Sequence, residues 1–161
     1  MGVKKIIECP NCGNKWEDWK NPIPTVDALI EVYNHSGEFQ GIALIERKNY
    51  PFGWAIPGGF MEYGESAEIT AVREAKEETN LDVEIIKLFG FYSEPTRDPR
   101  HHTVTAVYLC KAIGEPLGGD DAKQAKIFKL HQIPKNLVFD HNKVIDDYLA
   151  YKKKSEKKNN R

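Results

Sequence analysis

Three glutamates near the middle of the chain, Glu74, Glu77 and Glu78, have a spacing that suits the binding of a divalent metal ion. On a helix, residues three and four positions apart are neighbours, so the three carboxylates would converge on a small volume. They would repel one another and also oppose the negative end of the helix dipole, so a compensating cation is expected. Carboxylate oxygens select hard ions such as Mg²⁺ or Mn²⁺. The simpler alternative for a Glu-rich segment is a solvated acidic helix.

The helix that would carry these glutamates is predicted to run from a cap at Ser66 to about Thr79. Asn80 follows it, and Asn is the residue other than Gly that most readily adopts the left-handed backbone wanted at a helix end. An apolar stripe at helical spacing is expected to face a core: Ile69, Val72 and Ala75.

The segment just before this helix favours a metal site over a plain surface helix. Trp54 and the sequence Pro57-Gly58-Gly59 precede it, and a Pro-Gly-Gly turn lets the backbone approach closely and leaves a carbonyl free to coordinate. A surface helix requires neither feature.

The stretch from Gly59 to Leu81 reads G-x5-E-x7-R-E-A-x-E-E-x-N-L. It resembles the Nudix box of the Nudix hydrolases, G-x5-E-x7-R-E-U-x-E-E-x-G-U, where U is an aliphatic residue. Six specified letters would coincide at a given start about once in 10⁷ to 10⁸ tries, so chance is a poor explanation. One position departs, since Asn80 stands where the box usually has Gly. The resemblance implies an α/β fold, the Nudix α/β/α sandwich with a mixed β-sheet, and metal-dependent hydrolysis of a diphosphate.

The resemblance also implies roles for individual residues. Glu74, Glu77 and Glu78 match the metal-binding glutamates, and the carbonyl of Gly58 matches a further ligand. Arg73 matches the arginine that holds the acidic side chains by ion pairing, and its expected partner Glu65 would brace the loop before the helix.

Bound metals would bridge phosphate oxygens and lower the pKa of a water molecule, whose proton a carboxylate would take. Members of the family differ in this base. It is either a glutamate of the box, such as Glu77 or Glu78, or an acidic residue of a later loop. For the loop we favour Asp121 and then Asp120, which follow Gly118-Gly119; a solvated turn is the alternative reading of that segment.

The leaving group must be recognised elsewhere, and the loop from Tyr92 to Thr103 is the strongest candidate. Its two prolines limit the entropy of ordering, while Arg97 and Arg100 could make forked contacts to phosphate oxygens. A surface loop pinned by local Arg-Asp pairs is the alternative. The loop resembles that of ADP-ribose pyrophosphatase-like Nudix proteins, and Arg47 is a further phosphate contact by analogy with the family, or else a solvated strand end.

These features favour hydrolysis of a nucleoside diphosphate linked to another group, with ADP-ribose giving AMP and ribose 5-phosphate. A nucleoside triphosphate pyrophosphohydrolase acting on oxidised nucleotides such as 8-oxo-dGTP, and a non-catalytic nucleotide sensor, are the alternatives. Four aromatic residues could stack on a nucleobase but are more often core residues: Tyr33, Phe52, Trp54 and Tyr92.

Alternating apolar segments predict the elements around the helix. The predicted strands are residues 27–33, 39–47, 81–91, 103–112 and 126–130, and a last helix is predicted from Asn142 to Tyr151. Strands on both sides of an internal helix, followed by a terminal helix, indicate a mixed sheet covered by helices.

The chain of 161 residues is expected to form one domain, residues 24–150, between a short N-terminal segment (1–23) and a basic, disordered tail (151–161). Cys9 and Cys12 form a C-x2-C pair, half of a zinc ribbon, so Zn²⁺ is one reading and a relic turn another. A net charge of −1 argues against nucleic acid, and no apolar run is long enough for a membrane span. We expect a cytoplasmic protein with a small nucleotide substrate; a homodimer is left open.

Overall fold

The computed structural model describes residues 3–119 and 122–159. An N-terminal hairpin, made of β1 (Lys4–Glu8) and β2 (Lys15–Trp19), forms a separate two-stranded sheet. The remaining strands form one seven-stranded sheet: β3 (Ile23–Tyr33), β4 (Phe39–Arg47), β5 (Trp54–Ala55), β6 (Gly58–Phe60), β7 (Val83–Tyr92), β8 (Thr103–Ile113) and β9 (Ala122–Phe128). Two helices, α1 (Ala67–Thr79) and α2 (His141–Asn159), accompany it.

The large sheet is mixed, as the sequence predicts. Its main path runs β5-β4-β3-β8-β7, with β6 paired to β3 and β9 to β4. The central pair β3 and β8 is parallel, while the other pairs are antiparallel. Strand β4 has the predicted bounds, and β3 begins four residues earlier than predicted, at Ile23.

Helices cover both faces of the sheet because successive side chains of a strand point to opposite sides. On β3, Val26 and Ala28 pack in one cluster with Ala71 and Ala75 of α1. Leu29 packs in a second cluster on the other face, with residues of α2: Val144, Ile145 and Tyr148. The molecule is therefore an α/β/α sandwich, and the predicted fold class is confirmed.

The buried face of α1 differs from the predicted stripe. Ile69 is 56% exposed and Val72 is 41% exposed, whereas Ala71 and Ala75 are fully buried. Small alanines let the helix approach the sheet closely. The helix is rotated relative to the predicted orientation, and this turns Glu78, four residues after Glu74, into the interior. The prediction for Ile69 and Val72 was wrong because the helix packs on the sheet through Ala71, Ala75 and Glu78 instead.

Helix α2 continues to Asn159, past the predicted end at Tyr151, so residues 151–159 of the predicted tail are helical. Two contacts hold its later turns. Lys152 Nζ donates to Glu31 of β3 at 3.1 Å, and Lys87 Nζ lies 3.7 Å from the ring centroid of Tyr151. The sequence predicts that the lysines of this segment are solvated, whereas Lys152 has the buried carboxylate of Glu31 as its partner. Within the described residues, neither helix is both long and apolar enough to cross a membrane.

Candidate active site

Helix α1 begins and ends as its sequence predicts. The Ser66 side chain accepts a hydrogen bond from the N–H of Ile69, which caps the first turn. Asn80 has φ 56°, in the left-handed region, and its N–H donates to the carbonyl of Lys76. These two caps set the length of the helix and thereby the position of the glutamates in its last turns.

Strand β6 brings glycine backbone against these glutamates. The N–H of Gly58 donates to Oε2 of Glu78 at 2.9 Å. A Cβ at Gly59 would lie 2.7 Å from Cδ of Glu74, and one at Gly58 would lie 2.7 Å from Cα of Asp27. No larger residue fits at either position without displacing its neighbours. Gly58 and Gly59, predicted as a turn, form a short strand because β6 pairs with β3.

Arg73 joins the acidic residues of the site. Its Nε donates to Glu65 at 2.8 Å, so the predicted Arg73–Glu65 ion pair is present. Its Nη1 donates to Glu74 at 2.8 Å and to Glu77 at 3.0 Å, and Nη2 donates to the carbonyl of Phe60 at 3.1 Å. The hydrogen bond from Arg73 lowers the pKa of Glu65 to about 2, and this pair raises the pKa of Arg73. Arg73 therefore fixes the loop before α1 and the carboxylates on it together.

Glu78 is the buried carboxylate of the site, with 4% of its surface exposed. Burial raises its pKa to about 8, and the nearby charges of Glu74 and Asp27 add to that rise, while the N–H of Gly58 opposes it. Burial also raises the pKa of Glu74. Two neighbouring carboxylates that resist ionisation favour a cation that would stabilise their charged form.

The donor set fits a hard divalent ion, although it is not preassembled. In residues 3–119 and 122–159, no three carboxylate, histidine or cysteine side chains already surround a point that could hold a metal. Arg73 instead holds Glu74 and Glu77, and Glu78 is held by the N–H of Gly58. The oxygens are nevertheless all carboxylate or carbonyl, the ligands that Mg²⁺ and Mn²⁺ prefer. Each hydrogen bond from Arg73 uses one carboxylate oxygen, Oε1 of Glu74 and Oε2 of Glu77, so the second oxygen of each could bind the metal.

A second buried network lies beside the carboxylates, around Asp27 on β3. Oδ2 of Asp27 accepts from the hydroxyl of Thr105 at 2.8 Å and lies 3.6 Å from Nε2 of His141. The N–H of Ile56 donates to Nδ1 of His141, so the ring proton is on Nε2 and faces Asp27. Burial opposes the ionisation of Asp27, but His141 and Arg97 together hold its pKa below the usual value. Sequence reasoning missed Asp27 and His141; an acidic residue within the apolar run of β3 was the available signal.

The two arginines predicted to bind substrate are placed differently. Arg97 is 6% exposed, and its guanidinium donates to Asp140 (2.9 and 3.1 Å) and Thr103 (2.9 Å). Arg100 is half-buried and pairs with Asp98 through Nε and Nη2 at 3.0 and 2.8 Å. None of the hydrogen bonds among the described residues uses Nη1 of Arg100. These contacts suit a positioning role for Arg97 and a direct role for Arg100.

A cavity of about 340 Å³ connects most of these groups. The glycines of β6 form part of its wall. Its charged and aromatic lining residues include Asp27, Arg47, Phe60, Arg73, Glu74, Glu77, Glu78, Arg97, Asp98, Arg100, Phe139 and His141. The structure thus brings Arg47 and Arg100 to the same cavity as the predicted metal ligands. The four aromatic residues considered for base stacking do not line it, whereas Phe60 and Phe139, which the sequence did not single out, do.

Asp121, the predicted loop base, and Asp120 lie outside the described residues. The preceding Gly119 donates its N–H to the carbonyl of Glu78 at 3.3 Å. The role of Asp121 therefore stays a prediction.

Cys9 and Cys12 lie in the turn between β1 and β2. The backbone N–H groups of Asn11 and Cys12 donate to the Cys9 sulfur and lower the pKa of its thiol. Within the described residues, no third metal-binding side chain joins the two cysteines. The described residues therefore do not complete a zinc site here, and the structure does not support the zinc prediction.

The fold and this site, with three glutamates of one helix beside a glycine-rich strand, are those of a hydrolase. The NUDIX domain model matches residues 23–148, so the chain belongs to the Nudix family of hydrolases. It is 45% identical over 152 residues to the ADP-ribose pyrophosphatase of Methanocaldococcus jannaschii, with 92% of this chain and 85% of that protein covered.

Two solved structures are similar to this one. The NUDIX domain of Shewanella oneidensis NrtR complexed with ADP ribose has a TM-score of 0.71 and 27% identity, covering 82% of this chain and 89% of that one. A bifunctional NMN adenylyltransferase/ADP ribose pyrophosphatase from Francisella tularensis, complexed with AMP and an Mn ion, has a TM-score of 0.66 and 27% identity. That match covers 82% of this chain and 42% of the Francisella chain.

Proposed function

We propose that this protein hydrolyses the diphosphate of ADP-ribose to AMP and ribose 5-phosphate, using Mg²⁺ or Mn²⁺. The observation that carries the proposal is the 45% identity, over most of both chains, to an ADP-ribose pyrophosphatase. The cavity supports it because it combines carboxylates suited to a divalent cation with arginines suited to a diphosphate.

Glu74, Glu77 and Glu78, with the carbonyl of Gly58, would hold the metal. A bound metal would neutralise charge on the diphosphate and make a coordinated water more acidic. Arg73 and Glu65 would act as positioning residues, since their ion pair fixes the direction in which the glutamates point.

In the reaction, a water oxygen forms a bond to one phosphorus while the bond from that phosphorus to the bridging oxygen breaks. The water proton passes to a carboxylate, for which Asp121 is the proposed base. Glu77 is the alternative within the box, since its side chain is 43% exposed and lines the cavity. The pH–rate profiles of Asp121→Asn and Glu77→Gln would decide between them: loss of the base abolishes the acidic limb, whereas loss of a metal ligand alone lowers kcat and leaves that limb in place.

Arg100 would bind the diphosphate directly, with Arg47 beside it. Arg97 would act indirectly. It ties the loop that carries Arg100 to Asp140, next to the start of α2, and to β8 through Thr103.

The test is Mg²⁺-dependent hydrolysis by the purified full chain of ADP-ribose, NADH, GDP-mannose and 8-oxo-dGTP, with products separated by chromatography. Preference for ADP-ribose with formation of AMP supports the proposal. Preference for 8-oxo-dGTP with direct release of pyrophosphate would replace it by a nucleotide-pool function. Tight binding of ADP-ribose without turnover of any compound would indicate a sensor.

A further inference from the structure

Phe139 has an unusual backbone conformation at the edge of the cavity. Its φ is 58°, and Asn80 is the other non-glycine residue with positive φ in the described part of the chain. Asn80 ends a helix, where this conformation is common, whereas a bulky aromatic residue rarely adopts it. Such strain persists only where the surrounding structure imposes it, and it is concentrated at functional sites.

The residues on both sides of Phe139 are held in place. The N–H of Val138 donates to the carbonyl of Trp54 at 2.9 Å. On the other side, Asp140 accepts from Arg97 at 2.9 Å, and the buried ring of His141 lies 5.2 Å from the Phe139 ring. The direction of the Phe139 side chain is therefore set by its neighbours.

The ring of Phe139 lies against two arginines of the cavity. The Cζ atom of Arg47 is 5.2 Å from the ring centroid, and that of Arg100 is 5.4 Å away. Both distances are within the range of a cation–π interaction. An aromatic ring attracts a guanidinium group, so Phe139 stabilises both arginines where they line the cavity.

Both arginines also have other contacts, among them the Phe60 ring, 5.9 Å from Cζ of Arg100. Nε of Arg47 donates to the carbonyl of Pro51 at 3.0 Å, and Arg100 pairs with the buried carboxylate of Asp98. These anchors hold one side of each guanidinium, and Phe139 is the group that both share.

On the basis of the function proposed above, we propose that Phe139 is a positioning residue for diphosphate binding. Its ring holds the guanidinium groups of Arg47 and Arg100 in place at the cavity before substrate arrives. Pre-organised donors lose less entropy on binding, so Phe139 contributes to substrate affinity without contacting the reacting atoms.

The central test compares Phe139→Leu, which keeps an apolar side chain without a ring, with Phe139→Tyr, which keeps the ring. We expect Phe139→Leu to raise KM for ADP-ribose about tenfold with little change in kcat, and Phe139→Tyr to restore most of the affinity. Phe91→Leu is the matched control, since Phe91 is exposed on β7 and does not line the cavity. Unchanged KM in Phe139→Leu would overturn the inference.

A variant that relieves the backbone separates positioning from packing. Glycine tolerates φ of 58°, so Phe139→Gly removes the ring and the strain together. We expect Tm to stay near that of the wild type while KM rises. A residue with only a structural role would instead lower Tm and leave KM unchanged.

Failure of the proposed function would appear differently, as absence of ADP-ribose hydrolysis by the wild type. The affinity for inorganic pyrophosphate, measured by calorimetry, then decides the inference, because this probe needs the arginines but no nucleotide. Weaker pyrophosphate binding by Phe139→Leu than by Phe91→Leu supports a positioning role, and equal affinities overturn it.

Discussion

The N–H of Gly58 donates to the carboxylate of Glu78 at 2.9 Å, although twenty residues separate them along the chain. This bond joins the glycine strand β6 to the last turn of α1. It places a buried carboxylate next to the carbonyl proposed as a metal ligand, and together with the bond from Arg73 to the carbonyl of Phe60 it joins the two halves of the site.

Glu78→Gln is expected to lower kcat by at least about a thousandfold while the protein stays folded. Glutamine has the size of glutamate but cannot supply the negative charge that a divalent ion requires. The measurement is steady-state hydrolysis of ADP-ribose, with circular dichroism to check the fold. Glu68→Gln is the control, since Glu68 is on the same helix but does not line the cavity. Equal activity of the Glu78 variant and the wild type would refute the metal-ligand assignment.

The stability of the metal-free protein should fall as pH rises. The pKa of Glu78 is about 8 in the folded protein against 4.5 as the reference value, so between these values the folded state binds the extra proton. Because of this group, the free energy of unfolding falls by up to about 1.4 kcal/mol for each unit of pH rise in this range. Urea unfolding in EDTA at pH 5.5 and pH 8 measures the effect.

Glu78→Gln provides the reference for this pH effect, because it lacks the titrating group while other groups cancel in the comparison. The difference in free energy of unfolding between wild type and variant should decrease with pH, and Mg²⁺ should restore wild-type stability at pH 8. A difference that does not change with pH would show that Glu78 ionises normally.

Arg73→Lys should raise the Mg²⁺ concentration needed for half-maximal activity about 10–100-fold. Lysine keeps the charge but cannot donate in several directions to Glu65, Glu74 and Glu77 as the guanidinium does. A magnesium titration of activity measures this shift. Lys76→Arg, on the exposed side of the same helix, should leave the titration unchanged, and an unaltered curve for Arg73→Lys would exclude a positioning role.

Arg97→Lys should mainly lower stability, whereas Arg100→Lys should mainly raise KM. Arg97 is buried and donates to Asp140 and Thr103, so its replacement should lower the free energy of unfolding by about 2–3 kcal/mol with little change in KM. Arg100→Lys keeps a partner for Asp98 but loses the forked geometry, so KM should rise about tenfold with a smaller loss of stability. Chemical denaturation and substrate saturation curves distinguish them. A large KM increase in Arg97→Lys alone would reverse the assignment.

Much of the helix and its charged residues could be predicted because the signals are local. The caps at Ser66 and Asn80 and the Arg73–Glu65 pair depend on residues at most eight positions apart. The strand alternation likewise identified β4 and most of β8. The burial of α1 could not be predicted in this way, because a periodic pattern contains two candidate faces and the sheet selected the one with Ala71 and Ala75.

The chemical class of this protein follows from the sequence alone, since the spacing of Glu65, Arg73, Glu74, Glu77 and Glu78 specifies a Nudix box, formed by a loop and the capped helix after it. The three-dimensional packing, in contrast, determines that Arg97 is held by Asp140 and Thr103, and that Asp27, His141 and Phe139 line the cavity. These residues are brought together by the parallel pairing of β3 with β8 and by the docking of α2. Contacts between residues tens of positions apart depend on packing and burial, which no local pattern of residues records.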